Sequence, residues 1–262
     1  MKYFDTHAHY YDERFFEECK DGAMPLISSL LSSDVSAIIN VGTSPETCRA
    51  AIAQAQKYNT MYTALGIHPS DAQRITASLD AAVSDIELLI KDKKNKAVAL
   101  GEIGLDYHYP DTDKALQMRY FEAQMTLAET LGVPVSIHDR DAHADVMEVI
   151  RRYPNVRGVF HSYSASPEMA RELVKRGWYI SFSGTLTFKN ANRVRESARA
   201  VPKERLLIET DAPYLSPHPH RGKINHSGRL VHSLDALSTL WDCSPEEAAK
   251  QTFENAQNFF FG

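Results

Sequence analysis

The residues best placed to do chemistry stand at the start of the chain, in Asp5-Thr6-His7-Ala8-His9. Lys2-Tyr3-Phe4 reads as the start of a strand, so His7 and His9, two apart, project from one face. Two imidazoles held side by side at a strand end suit one divalent metal ion; alone, they are weak evidence and read more readily as surface or core histidines. Four further strand-like segments end in His, Glu or Asp: Gly101-Glu102-Ile103-Gly104-Leu105-Asp106, Ser136-Ile137-His138, Val159-Phe160-His161 and Ile208-Glu209-Thr210-Asp211. Each has a plain alternative. Glu102 could be an exposed loop carboxylate, His138 and His161 satisfied histidines at a strand end, and Asp211 the cap of the next turn. The plain readings require a separate coincidence at every position, so joint occurrence decides for a metal-dependent hydrolase.

His7, His9, His138 and His161 with Glu102 and Asp211 exceed one tetrahedral zinc site but suit two divalent ions sharing a bridging group. Two ions ~3.5–4 Å apart activate water and neutralise the entering and leaving oxygens of a phosphoryl displacement. The non-bridging oxygens then need cationic donors, for which Arg140, Arg221 and Lys223 are available. Arg140 also reads as a salt-bridge partner of Asp139 or Asp141, and Arg221 and Lys223 as solvated loop charges. An imidazole-rich set favours zinc, manganese or iron over magnesium, which prefers oxygen.

Strands must hold these groups. Short apolar runs near residues 2–7, 35–41, 61–66, 97–103, 134–138, 158–161, 179–183 and 206–209 each end in polar residues or Gly. Amphipathic stretches such as 116–131 and 169–176 lie between them. Pro45 and Pro167 stand where a first helical turn begins, each after a Ser that can cap it, and Gly132 and Gly177 serve as stops. Strands alternating with helices over ~250 residues match an α/β protein built as a single (β/α)8 TIM barrel. A doubly wound open sheet competes, but no Gly-x-Gly-x-x-Gly follows the first strand. Barrel closure would also bring the C-terminal ends of five strands onto one rim. With no linker, repeat or low-complexity segment, residues 1–262 read as one domain.

The 262 residues, 43% hydrophobic and 24% charged, allow one barrel or two small domains. A formal net charge of −5 argues against broad coating of DNA, but not against an enzyme that holds phosphates through metal ions. Cys19, Cys48 and Cys243 form no zinc-type pair or disulfide framework, so a reducing compartment is the simplest reading. No signal peptide precedes Tyr3-Phe4-Asp5, and no apolar run approaches the ~20 residues of a membrane span. The expectation is a cytoplasmic protein with no membrane partner and no obligate protein partner.

Six stretches in order resemble the TatD family of metal-dependent deoxyribonucleases, within the amidohydrolase-like barrels. They are Asp5–His9, Gly66-Ile67-His68-Pro69, Gly101–Asp106 followed by Tyr107, His138-Asp139-Arg140, Phe160-His161-Ser162-Tyr163-Ser164 and Glu209–Leu215. The resemblance implies that His7, His9, Glu102 and Asp211 hold one ion, and that Glu102, His138 and His161 hold the other. It further implies Asp211 as the group that orients or deprotonates the attacking water, His68 and Arg140 as pocket residues, and Asp106 and Glu209 as groups orienting the ligands. The implied activity is 3′–5′ exonuclease action on single-stranded DNA, leaving 5′-phosphorylated nucleotides, with two Mg or Mn ions and zinc as a further candidate. DNA repair is implied by association with the family.

One stretch departs from the pattern. Arg221-Gly222-Lys223-Ile224-Asn225 is kept, but His226-Ser227 replaces the usual acidic residue and Pro, and Pro217-His218-Pro219-His220 is rich in His. Loop drift is the plain reading; an altered substrate rim or an extra metal site is the sharper one. Two other functions compete: hydrolysis of small amides, lactones or phosphoesters, and a non-catalytic metal-binding protein. A nuclease needs cations and aromatics along its rim, for which Arg140, Arg221, Lys223, Tyr107, Tyr109 and Tyr163 are candidates.

Overall fold

The computed structural model describes every residue but Lys20, with Glu18 described by its backbone alone. Eight strands form one sheet in chain order: β1 Tyr3–Ala8, β2 Val35–Val41, β3 Met61–Leu65, β4 Ala97–Asp106, β5 Val135–Arg140, β6 Gly158–Phe160, β7 Tyr179–Phe182 and β8 Leu206–Ile208. Helices separate them, giving the (β/α)8 TIM-barrel fold that the alternation predicts. Sequential strand order excludes the doubly wound alternative. The chain after β8 returns to β1: Ala8 forms a parallel bridge with Ala212, Asp211 N donates to His7 O at 2.9 Å, and His9 N donates to Ala212 O at 2.6 Å.

Contacts divide the described residues into two compact units. One comprises Met1–Asn40, Tyr58–Met61 and His161–Gly262. In it β1 is buried along its whole length, so Asp5 and His7 are interior groups. Phe4 packs on Phe260 of helix Pro245–Phe261, which opens with a capping box at Ser244.

The other unit comprises Val41–Lys57 and Tyr62–Phe160. Its β4 continues to Asp106, beyond the expected end at 103, because Gly104 keeps it paired with β5, opposite His138. Gly104 has φ +138°, and a Cβ there would lie 2.0 Å from His138 O, so only glycine fits. Helix Lys114–Leu131 starts before the expected 116 because Asp113 caps it, accepting from Leu116 N at 2.9 Å. Its buried Gln117 accepts from Asp106 N at 2.9 Å, and Gln124, two helical turns on, pairs with both N and O of Ile67. One helix face thereby fixes the chain at Asp106 and beside His68.

Ser44 and Ser166 cap their helices as expected, and Gly132 closes Lys114–Leu131 at φ 65°. Among the described residues no helix is long and apolar enough to cross a membrane, and Cys19, Cys48 and Cys243 are free thiols.

Candidate metal centre

In the first unit, the end of β1 and the segment after β8 converge on a group of imidazoles. His7 Nε2 and His9 Nε2 are 3.1 Å apart, and Asp211 Oδ1 lies 3.4 Å from His9 Nε2 and 3.9 Å from His7 Nε2. Donor atoms that share one ion through bonds of about 2.0–2.2 Å stand about 3–3.5 Å from one another. The spacing here is close to that of a cation site. The His161 ring stacks on His7, with centroids 4.1 Å apart and planes 14° from parallel. Glu209 Oε1 lies 3.2 Å from His161 Nδ1 and accepts from Ser162 N at 2.8 Å. Glu209 thus holds the Nδ1 proton, leaving the Nε2 lone pair of His161 for a ligand.

Asp211 occupies the left-handed backbone region at φ 56°, a conformation that costs about 1–3 kcal/mol in a non-glycine residue. The bond from Asp211 N to His7 O, and one from Tyr214 N to Asp211 O at 2.8 Å, hold it there. Burial pushes the Asp211 carboxyl up, but the hydrogen bond with His9 and the charges of His161, His9 and His7 win, leaving it below the usual carboxylate range.

In the second unit, Glu102 is buried within β4 rather than exposed on a loop. Its Oε1 lies 2.7 Å from His138 Nδ1 and 3.5 Å from His68 Nε2, while His138 Nε2 lies 3.1 Å from Asp106 Oδ2. Ser70 N donates to His68 Nδ1 at 3.1 Å, which places the proton of neutral His68 on Nε2, toward Glu102. Burial raises Asp106, but its hydrogen bond to His138 and the positive charge there outweigh it, and its carboxyl falls below the usual range. His68, expected in the substrate pocket, also contacts Glu102. Asp106 and Glu209, expected to orient the ligands, each contact an imidazole.

A buried network braces the first group. Asp5 Oδ1 accepts from Thr210 N at 2.9 Å and His7 N at 3.4 Å; its Oδ2 accepts from Thr210 Oγ1 at 2.5 Å and Ser227 Oγ at 2.6 Å. Burial pushes the Asp5 carboxyl up to about 6 despite these donors. Tyr10 Oη lies 2.6 Å from Ser227 Oγ and accepts from Ser227 N at 2.9 Å. Loop drift is therefore the wrong account of Ser227: it is fully buried, and it makes two donations that the proline expected at this position could not make. Asn225 Nδ2 adds a bond to Thr210 O at 2.8 Å.

Arg221 and Lys223 line one groove of about 390 Å³ together with Arg14, Glu17 and Tyr214. The Arg14 guanidinium lies 4.4 Å over the Tyr214 ring, and the Tyr214 hydroxyl donates to Asp12 at 2.6 Å. The sequence reading missed both residues. Tyr214 stood in view three positions after Asp211, whereas Arg14 belongs to no motif. Arg140 ends β5, exposed, with its guanidinium 5.6 Å from the Tyr109 ring centroid. The neighbours proposed as its ion-pair partners contact other groups, Asp139 with His143 at 2.8 Å and Asp141 with His108 at 3.0 Å. Tyr163 is a correction: it is buried against Phe182, and its hydroxyl donates to Ser166 O at 2.7 Å. Tyr107 is half-buried and donates to Asp145 at 2.8 Å, which leaves Tyr109 as the exposed ring of the three.

Both groups offer imidazole nitrogens and carboxylate oxygens, the donor set of borderline divalent ions, and both stand at C-terminal strand ends. A sequence model of the family described as TatD related DNase matches residues 4–261. The uncharacterized metal-dependent hydrolase YabD of Bacillus subtilis (strain 168) is 36% identical over 259 residues, covering 98% of each chain. The uncharacterized metal-dependent hydrolase TatD of Mycobacterium tuberculosis is 35% identical over 247 residues, covering 92% of this chain and 91% of its own. Among solved structures, YJJV, a TatD homologue of Escherichia coli K12, matches with a TM-score of 0.88 at 26% identity, over 98% of this chain and 97% of that one.

Proposed function

The chain belongs to the TatD-related DNase family of metal-dependent hydrolases, and from that premise we propose that it hydrolyses DNA phosphodiester bonds, trimming single strands from the 3′ end. The observation that carries the reading is the link between ligand group and groove: the bond from Tyr214 N to Asp211 O at 2.8 Å joins His7, His9 and Asp211 to a cleft bearing Arg14, Arg221, Lys223 and an aromatic ring. A strand needs cations for its phosphates, and the cleft gathers three of them beside Glu17 and the Tyr214 ring.

The donor groups fit divalent ions, which when bound would supply an activated water and neutralise charge at the phosphate. Asp211, with its low carboxyl pKa, is ionised at neutral pH and accepts a proton from the attacking water. The water oxygen bonds to phosphorus as the bond from phosphorus to the 3′ oxygen breaks, and the leaving oxygen takes a proton from solvent. The products are a 5′-phosphorylated nucleotide and a shortened strand with a 3′ hydroxyl. Glu209 keeps the His161 tautomer fixed, and the net charge of −5 confines phosphate binding to the local cations.

The test is purified protein with 3′- and 5′-labelled single-stranded DNA in Mg²⁺, Mn²⁺ or EDTA. Metal-dependent, stepwise loss from the 3′ end is the expected outcome. Intact DNA in a metal-loaded sample that hydrolyses small amides, lactones or phosphoesters would replace this reading with the small-substrate one.

A further inference from the structure

We propose that His220 and His232 form a second, separate site for a borderline transition-metal ion (zinc, nickel or copper(II)) that fastens the loop 217–225 to the first turn of helix Leu230–Trp241. Their Nε2 atoms are 3.1 Å apart, the same separation as His7 and His9, and their ring centroids are 5.0 Å apart. Two imidazole nitrogens bound to one ion at about 2.0–2.1 Å, at angles between octahedral and tetrahedral, stand about 2.9–3.4 Å apart. The residues are neither neighbours in sequence nor part of the ligand groups described above.

The backbone holds the pair in register. His220 N donates to Pro217 O at 2.7 Å, and Lys223 N donates to His220 O at 3.1 Å, closing a turn around His220. Arg229, just before the helix, donates to Ser216 Oγ at 3.1 Å and to Ile224 O, anchoring the base of the loop. Both imidazoles are half-buried, so an ion can reach them and water can complete its coordination. Without an ion, one Nε2–H points at the lone pair of the other. Binding needs that proton only to move to Nδ1 of the same ring, so both rings stay neutral. Desolvation, then Arg229, His232 and Lys223, hold His220 below the ordinary imidazole range and favour its neutral, ligating form. Magnesium, which prefers oxygen and retains its waters, is excluded.

Such an ion would pin the segment that carries the exposed Arg221 and Lys223. Only that consequence for the groove rests on the nuclease reading; the site does not. The experiment is equilibrium dialysis of metal-stripped protein against Zn²⁺ with metal counting, on wild type, H220A, H232A and, as control, H218A. H220A and H232A should each bind one zinc fewer per chain, with H218A unchanged. Zinc, and not Mg²⁺, should slow tryptic cleavage after Arg221 and Lys223 in wild type but not in H232A. Thermal melts check folding, and H232Q replaces H232A if that variant melts early. Equal zinc counts and equal trypsin protection in wild type and the His232 variant would overturn the proposal. DNA cleavage is not a readout, so failure here and failure of the nuclease reading are separable.

Discussion

The two ligand groups are made of the same residue types but stand in opposite states of readiness. In the first, imidazole faces imidazole: His7 and His9 approach at 3.1 Å, and both, with His161, act on the single carboxylate of Asp211. In the second, imidazole faces carboxylate: His138 lies between Glu102 and Asp106, and His68 directs its proton at Glu102. An ion entering the first group displaces a 3.1 Å nitrogen–nitrogen contact and a 3.4 Å contact of His9 with Asp211. An ion entering the second must break a 2.7 Å imidazole–carboxylate bond. Affinity depends on what donor atoms do in the ion's absence as well as on which atoms they are. The first group should therefore hold its ion more tightly, and the second should exchange.

The harshest test of the contrast is Asp211→Asn. It removes the charge of the carboxylate that faces His7 and His9, the proposed base, while keeping its size, so turnover should fall by about 10²–10⁴-fold. Full turnover with normal metal content would remove Asp211 from the role of base. The matched pair Glu209→Gln and Asp106→Asn then separates the groups. Each unfixes an imidazole and should weaken metal binding by about 10–100-fold, Glu209→Gln acting on the slowly exchanging ion and Asp106→Asn on the fast one. Chelator-driven release followed over time distinguishes them; identical release curves would erase the distinction.

What was readable beforehand follows the range of the interactions. The candidate ligands are legible because each lies in or just after a strand, near its C-terminal end, so His7, Glu102, His138, His161 and Asp211 can be recognised from a few neighbours each. The caps at Ser44 and Ser166 are similarly local. Ser227 was misread because its partner Asp5 lies 222 positions away, and no local rule says that a loop serine will be buried under β1. His232 meets His220 for the same kind of reason, across a turn whose geometry depends on Arg229. Tyr163 was misread in the other direction: an aromatic just past a strand end looks available until Phe182 packs on it. Gly104 is one more residue of a strand segment in the sequence, and only the register with His138 shows that glycine is obligatory there.

The brace under the first group can be tested by supplying the expected residue. Ser227 opens the turn Ser227–Arg229, where the φ of proline is acceptable, so Ser227→Pro measures lost bonds rather than backbone clash. Ser227→Ala should cost about 1–3 kcal/mol by leaving Asp5 short of a donor, and Ser227→Pro more, because the donation to Tyr10 is lost as well. Urea unfolding with and without metal reads this directly. Exchange at the second group, followed in both variants, reads whether the effect stays with the first. If the proline variant is as stable as wild type, the brace is not what holds His7 and Asp211.

The smallest effect belongs to the next residue, His226, and its sign is fixed by linkage. Burial first, then Arg229 and His220, push its imidazole down to about 4, and its buried Nδ1 has no hydrogen-bond partner. Between pH 4 and the ordinary imidazole value of 6.5 the unfolded chain carries a proton that the folded chain does not, so stability rises with pH through that window and is lost as pH falls from 6.5 toward 4. Discounted for partial exposure, the loss is about 1–2 kcal/mol, or a few degrees in Tm for a chain of this size. The measurement is the difference between wild type and His226→Gln in metal-free buffer, which cancels contributions from the rest of the chain. His226→Gln should flatten the curve between pH 4 and 6.5, and parallel curves would show that the imidazole is protonated as readily in the fold as outside it. A flattened curve, joined to a destabilised Ser227→Pro, would show that the two residues which depart from the expected loop act in opposite ways: Ser227 supports the first ligand group, and His226 carries a cost that grows with acid.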